Sequence, residues 1–301
     1  MRFSEKPCIL YKDVVILEKR IWPMWKKSLW MGLLSAIFVA ASVLLLLQLN
    51  GTHREVNQSA TPTIFIHGYR GTDRSLHGMI RRFDQKYDWA TDALTVKVSP
   101  TGDISVKGAY NGKQADNPLI NIVFADNRAT VTQQSLWTKK VMRYLEDHYD
   151  VTKFNAVGHS MGGGAWVSYL ASYANNPDYP EVEKIVFLAV PFYPEEYVNG
   201  DQEVDLQNAS AIHTKFAKQM EQKLKTTTRI MIIGGNLEDG SNSDGEVKID
   251  SVMYGKKLFA NQYVEAHTLT GPTAKHSNMH ELPVVDEYVA KFLWGFKEST
   301  K

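Results

Sequence analysis

The chain has 301 residues, 44% of them hydrophobic, enough for one large domain with a buried core. Thirty-four Lys and Arg stand against 33 Asp and Glu, a net charge of +1, which excludes the strongly basic composition of a nucleic-acid-binding protein. One cysteine excludes a disulfide within the chain.

That charge is unevenly placed. Residues 1–27 hold seven Lys and Arg against three Asp and Glu, leaving 27 and 30 for the remainder. From Leu29 to Leu49 the chain is apolar except for Ser35, Ser42 and Gln48. This is the length a helix needs to cross a bilayer with every amide bonded internally. Trp22, Trp25 and Trp30 mark the entry side, and the basic flank predicts a cytoplasmic segment 1–28 with the bulk of the chain outside. A cleaved signal peptide is the alternative. The long basic region, with no small-residue cleavage pattern after the span, favours a retained anchor. Cys8 falls on the predicted cytoplasmic side and is expected to be inert.

Residues 50–61 are polar and predict a linker to a domain over 62–298. Thr63–Ile66 is a short apolar run of the buried-strand type, ending in His67-Gly68-Tyr69-Arg70-Gly71. Leu76–Tyr87 has helical spacing. Leu94–Val98 and Ile104–Tyr110 alternate about Pro100-Thr101-Gly102-Asp103, which predicts a hairpin. Ile120–Phe124 reads as a strand, Val131–Tyr149 as a long amphipathic helix, Phe154–Val157 as a strand and Gly162–Ala174 as a helix. Lys184–Val190 is a buried strand and Asp205–Lys225 an exposed helix. Arg229–Ile233 and Tyr263–Leu269 are the last strands, and Val284–Phe296 the closing helix. The alternation predicts an α/β fold, a mostly parallel sheet with helices on both faces.

The strongest chemical signal is Gly158-His159-Ser160-Met161-Gly162, between a strand and a helix. A serine presented on a sharp turn in that context is the nucleophile elbow of an α/β-hydrolase, and side chains two positions to either side would collide with neighbouring backbone. Gly163 and Gly164 are expected to let the following helix pack closely. The loop at 67–71 then supplies one oxyanion-hole amide, from Tyr69, and Met161 supplies the other; His67 is expected to shape the loop. A triad acid must follow in the loop after Arg229–Ile233, where Glu238, Asp239 and Asp244 are eligible. Asp244 is favoured because Gly245-Glu246-Val247 turns the chain back and holds the carboxylate, with Asp239 next. Of the later histidines, His267 lies inside a strand and His280 is expected to begin the closing helix. His276, in the loop between, is the expected base. The acidic loop lacks EF-hand spacing, and His276 with His280 lacks a third ligand, so neither metal nor cofactor is expected.

Together, T-P-T-I-F-I-H-G-Y-R-G-T at 61–72, V-G-H-S-M-G-G at 157–163, G-G-N-L-E-D-G-S-N-S-D-G at 234–245 and H-S-N-M-H-E at 276–281 resemble uncharacterised α/β-hydrolases of Gram-positive bacteria. These are often described as cell-surface hydrolases. The resemblance covers about residues 61–296 and implies the α/β-hydrolase fold, a triad of Ser160, Asp244 and His276, and an extracytoplasmic location. The Gly162–Gly164 run and the basic N-terminal extension are less typical of the group. The expected activity is carboxylic-ester hydrolysis, on a small-molecule or lipid ester, by a monomer without a nucleic-acid partner. A peptidase or amidase with the same triad, and a non-catalytic surface binding module, remain open.

Overall fold

Apolar runs too short for a helix become strands, and the longer periodic segments between them become the helices that cover those strands. A computed structural model describes residues 54–192 and 217–298. The predicted span at 29–49, Cys8 and most of the predicted helix at 205–225 lie outside them; of that helix, 217–223 are helical. Among the described residues no helix is long and apolar enough to cross a membrane.

Among the described residues eight strands form one sheet in the order β3-β2-β4-β1-β5-β6-β7-β8. They are β1 Thr63–Ile66, β2 Thr91–Val98, β3 Ile104–Gly108, β4 Pro118–Phe124, β5 Lys153–His159, β6 Glu181–Leu188, β7 Arg229–Asn236 and β8 Tyr263–Thr270. Only β3 is antiparallel, paired with β2 across the predicted hairpin. The parallel strands send alternate side chains to opposite cores, as the pleat requires. Ile64, Ile185, Phe187, Ile230 and Ile232 enter one core. Phe65, Val186, Leu188, Met231 and Ile233 enter the other.

The first core is covered by α2 (Val131–Tyr149), through Trp137, Val141 and Leu145, and by α3 (Met161–Tyr173), through Trp166 and Leu170. Thr130 caps α2 by accepting from the Gln133 N–H, and Asp150 ends it in the left-handed region. The second core is covered by α1 (Asp73–Arg81), through Leu76, Met79 and Ile80, and by the closing helix Pro283–Leu293, through Val285, Val289 and Phe292. Thr72 and Ser75 form a reciprocal capping box at the start of α1. Its end runs into a π-helical turn, Arg82–Lys86.

Three details differ from the sequence expectation. From Glu55 onward the expected linker lies on the domain: Val56 is buried and bridges Phe296, and Asn57 Nδ2 donates to the Trp294 carbonyl. Backbone bonds to Gly295 and Lys297, and side-chain bonds from Trp89 and Asn117, also seat this stretch, and its polar composition shows none of them. Two short helices, α4 (Ile249–Met253) and α5 (Gly255–Leu258), were not anticipated, because neither spans enough turns to show a period. The closing helix, α6, starts at Pro283, not near His280, because proline fits a first helical position.

Candidate active site

Parallel strands bring their C-terminal ends to one edge, and that edge is where loops can converge on a ligand. The loop at 67–71 follows β1, Ser160 follows β5, Asp244 follows β7 and His276 follows β8. All four of these loops therefore meet at one end of the sheet.

Ser160 has φ 51° and ψ −125°, a conformation that a side-chain-bearing residue adopts only under constraint. Its N–H donates to the Leu188 carbonyl, which ties the turn to β6. A Cβ at position 158 would stand 2.6 Å from Gly163 Cα, and one at position 162 would stand 2.4 Å from the Ile66 and His67 carbonyl oxygens. Gly163 also packs under Val190, whereas Gly164 is half-exposed, so the close helix contact belongs to Gly162 and Gly163.

The loop at 67–71 lies against the nucleophile turn; a Cβ on Gly68 would be 3.0 Å from Ser160 Cβ. Several bonds hold it there. The Arg70 N–H donates to the Asn127 carbonyl (2.8 Å), Asn127 Nδ2 donates to the Gly71 carbonyl (2.9 Å), and the Gly71 N–H donates to the Gly68 carbonyl (3.0 Å). His67 is fully buried. Its Nε2 accepts from the Phe124 N–H, so Nδ1 carries the proton and donates to the Gly68 carbonyl (2.8 Å). It shapes the loop, as expected. The Tyr69 and Met161 amides donate to no carbonyl among the described residues. Met161 opens α3, where the first amides have no partner within the helix.

Asp244 is buried. Its Oδ1 accepts from the Val247 N–H (2.7 Å) and the Glu246 N–H (3.0 Å), while its Oδ2 accepts from His276 Nδ1 (2.8 Å). The His276 N–H also donates to the Asp244 carbonyl, at 2.9 Å. With its proton on Nδ1, the imidazole keeps its Nε2 lone pair for the cavity. Asp239, by contrast, is exposed and accepts from the Ser241 N–H, away from any imidazole. His267 lies on β8, bonded to Glu265 and stacked on Tyr288. Ser160 and His276 line one cavity of about 440 Å³ but are not hydrogen-bonded to each other. Such bonds are often long in a ligand-free site and tighten around substrate.

Sequence reasoning missed two supports. His159 is buried beside Ser160; its Nε2 donates to the His276 carbonyl (3.1 Å), and its ring packs against those of His276 and His280. Arg82, on the π-helical turn, donates through Nη2 to the His280 carbonyl (2.6 Å) and through Nε to Asp286 (2.6 Å), with Glu281 on Nη1. The x of a G-x-S-x-G pattern carries no expectation of its own. Arg82 and Asp286 are 204 residues apart, beyond any local spacing rule. Among the described residues no cluster of three or more His, Cys, Asp or Glu has metal-binding geometry.

The chain matches, over residues 50–296, the family described as "Alpha/beta hydrolase of unknown function (DUF915)". It belongs to that family. A solved member of the same architecture, the lin2722 gene product of Listeria innocua, is 28% identical, with a TM-score of 0.67, covering 79% of this chain and 96% of that one. A cell surface hydrolase candidate from Lactobacillus plantarum is 20% identical, with a TM-score of 0.62, covering 79% and 93%. No curated protein matches the chain at a significant level. This DUF915 hydrolase therefore has the α/β-hydrolase fold that its motifs predict.

Burial around the site has a measurable consequence for the DUF915 domain. The pKa values of His67, His159 and His280 are all lowered, foremost by desolvation, and that of His159 falls well below 6.5. An unfolded chain binds protons that these folded imidazoles refuse, so stability has its full value above about pH 6.5 and is lost as pH falls toward the folded values. The melting temperature should decline steadily between about pH 7 and 5, and less steeply in His159→Gln. A flat profile across that interval would show that the buried imidazoles impose no penalty.

Proposed function

We propose that this protein is a serine hydrolase that cleaves carboxylic esters outside the membrane through an acyl-enzyme on Ser160. The observation that carries this reading is the buried Asp244–His276 pair, which leaves Nε2 free on the cavity wall it shares with Ser160. In the reaction His276 Nε2 takes the Ser160 proton as Oγ bonds to the acyl carbon. The Tyr69 and Met161 amides bind the resulting oxyanion. The proton passes from His276 to the leaving alcohol oxygen as its bond to carbon breaks, and water then repeats the cycle to release the acid. Asp244 holds the imidazole tautomer and stabilises the imidazolium.

The extracytoplasmic placement is supported by the apolar run at 29–49 with its basic flank, and by the description of the Lactobacillus protein as a cell surface hydrolase candidate. Exposure to a fluorophosphonate should add one phosphonyl group, located at Ser160 by peptide mass spectrometry. Ser160→Ala should take up none. Unmodified protein, or modification elsewhere, would count against an activated serine at this site. Comparison of p-nitrophenyl esters with peptide amides then separates esterase from amidase.

A further inference from the structure

The motif H-S-N-M-H-E at 276–281 carries a second histidine and an acid after the base, and acyl transfer as described uses neither. His280 lines the cavity together with Ser160 and His276. Its side chain is 10% exposed, and its Nδ1 donates to Glu281 Oε1 (3.0 Å), since an ionised carboxylate only accepts. Glu281 Oε2 in turn accepts from Arg82 Nη1 (3.0 Å), and Arg82 Nη2 holds the His280 carbonyl (2.6 Å). The pair is thus built like Asp244 and His276: a carboxylate fixes the tautomer, and other groups fix the carboxylate. Burial lowers the pKa of His280, so the ring is neutral at pH 7 and its Nε2 carries a lone pair. That nitrogen has no hydrogen-bond partner among the described residues, yet it is not one of the polar atoms sealed from solvent. It is a fixed acceptor on the cavity wall.

An unpaired acceptor requires a donor, and the rest of the wall narrows the kind. Among the described residues no aliphatic side chain lines this cavity, so a hydrocarbon chain finds no apolar surface there. Arg70 and Glu246, both exposed and of opposite charge, line it together, which favours neither a cation nor an anion. Ser75 and Ser277 add hydroxyls. A neutral hydroxyl group suits such a wall, because it can donate to Nε2 while accepting from a guanidinium or a serine. We infer that His280 Nε2 binds a hydroxyl group of the substrate, so that the enzyme prefers esters of neutral, hydroxylated molecules, of the polyol or sugar class, to plain hydrocarbon esters. The inference rests on the serine-hydrolase reading above. A histidine that merely packed behind His276 would affect hydroxylated and plain esters alike.

Glycerol 1-acetate and propyl acetate differ only in hydroxyls on the alcohol half, and p-nitrophenyl lactate and propionate differ only in a hydroxyl on the acyl half. Each kcat/KM is divided by the rate constant for hydrolysis by hydroxide, which removes intrinsic reactivity. In the full-length protein the hydroxylated member of at least one pair should then be favoured about three- to tenfold, the range of one neutral hydrogen bond. The pair that shows it identifies the half that carries the hydroxyl. His280→Phe keeps a ring against His159 but has no acceptor, and should bring the ratio close to one. No preference in either pair overturns the inference, and so does a ratio unmoved in His280→Phe. Should His280→Phe fail to fold, Glu281→Gln decides. Its amide oxygen stays with Arg82 while its NH₂ group faces Nδ1, which moves the imidazole proton to Nε2 and turns the acceptor into a donor. 2-Methoxyethyl acetate, which only accepts, should then gain about threefold or more on 2-hydroxyethyl acetate. An unmoved ratio overturns the inference. Ser160→Ala separates the two layers: if it still cleaves the esters, the hydrolase reading fails, whereas lost cleavage with no hydroxyl preference in wild type removes only the subsite. Should wild type cleave none of the esters, the rates at which Ser160 is labelled by 2,3-dihydroxypropyl and propyl p-nitrophenyl methylphosphonates replace them. Equal rates overturn the inference, and failure of both reagents to label wild type overturns it together with the hydrolase reading.

Discussion

Asp244→Asn should lower kcat for a p-nitrophenyl ester by about 10⁴ while leaving the melting temperature close to that of wild type. The asparagine oxygen can still accept from the Glu246 and Val247 amides, which keeps the loop in place. Its NH₂ group then faces His276 Nδ1 and must donate to it. That moves the imidazole proton to Nε2, where it blocks removal of the Ser160 proton. Ser160→Ala and His276→Ala should each cost about 10⁶, and combining either with Asp244→Asn should add little, because members of a catalytic unit are not additive. Asp239→Asn serves as the contrast, since that carboxylate is exposed and accepts from the Ser241 N–H instead. Were Asp239→Asn the crippling change and Asp244→Asn the mild one, the acid would have been assigned to the wrong carboxylate.

Asp286→Ala should destabilise the domain by about 3–5 kcal/mol, the range for removing one partner of a buried ion pair. At about 2–4 °C per kcal/mol this would be read directly in a thermal melt. The Asp286 side chain is fully buried, and Arg82 meets both of its oxygens, at 2.6 and 3.0 Å. Burial pushes the Asp286 carboxyl above the usual carboxylate range, although Arg82 pulls it down. The pair thus gains little over water, yet loss of the carboxylate leaves the guanidinium in a partly dry site with only the exposed Glu281 and the His280 carbonyl as partners. The same guanidinium holds the His280 carbonyl, so the variant should also lose activity below its melting point, through a less fixed His276 turn. A melt within one or two degrees of wild type would mean that the clamp contributes nothing to stability.

Much of this molecule was legible because its signals are local. The apolar run at 63–66 is a buried strand, that at 184–190 falls on one that ends at Leu188, and the capped, periodic segment 131–149 is a helix with the expected bounds. Ser160 was legible because a strained turn between strand and helix demands glycine on both sides, and that demand is written in five consecutive residues. The returning Gly-x-Val favours Asp244 over Asp239 in the sequence, and in the structure the Val247 amide bonds the Asp244 carboxylate, which meets His276. What stayed hidden depends on distance in the chain. Nothing near Arg82 announces Asp286, and nothing near His159 announces the His276 carbonyl. Helices of four or five residues, such as α4 and α5, have no period to read.

The main-chain bond from His276 to the Asp244 carbonyl survives any replacement of either side chain. The position of His276 is therefore held by two loops joined backbone to backbone, and the carboxylate sets the orientation of its ring. In a protein built this way, the carboxylate at 244 can be exchanged without His276 losing its place, but the backbone of the acidic loop cannot be rerouted, because the histidine hangs from its carbonyl.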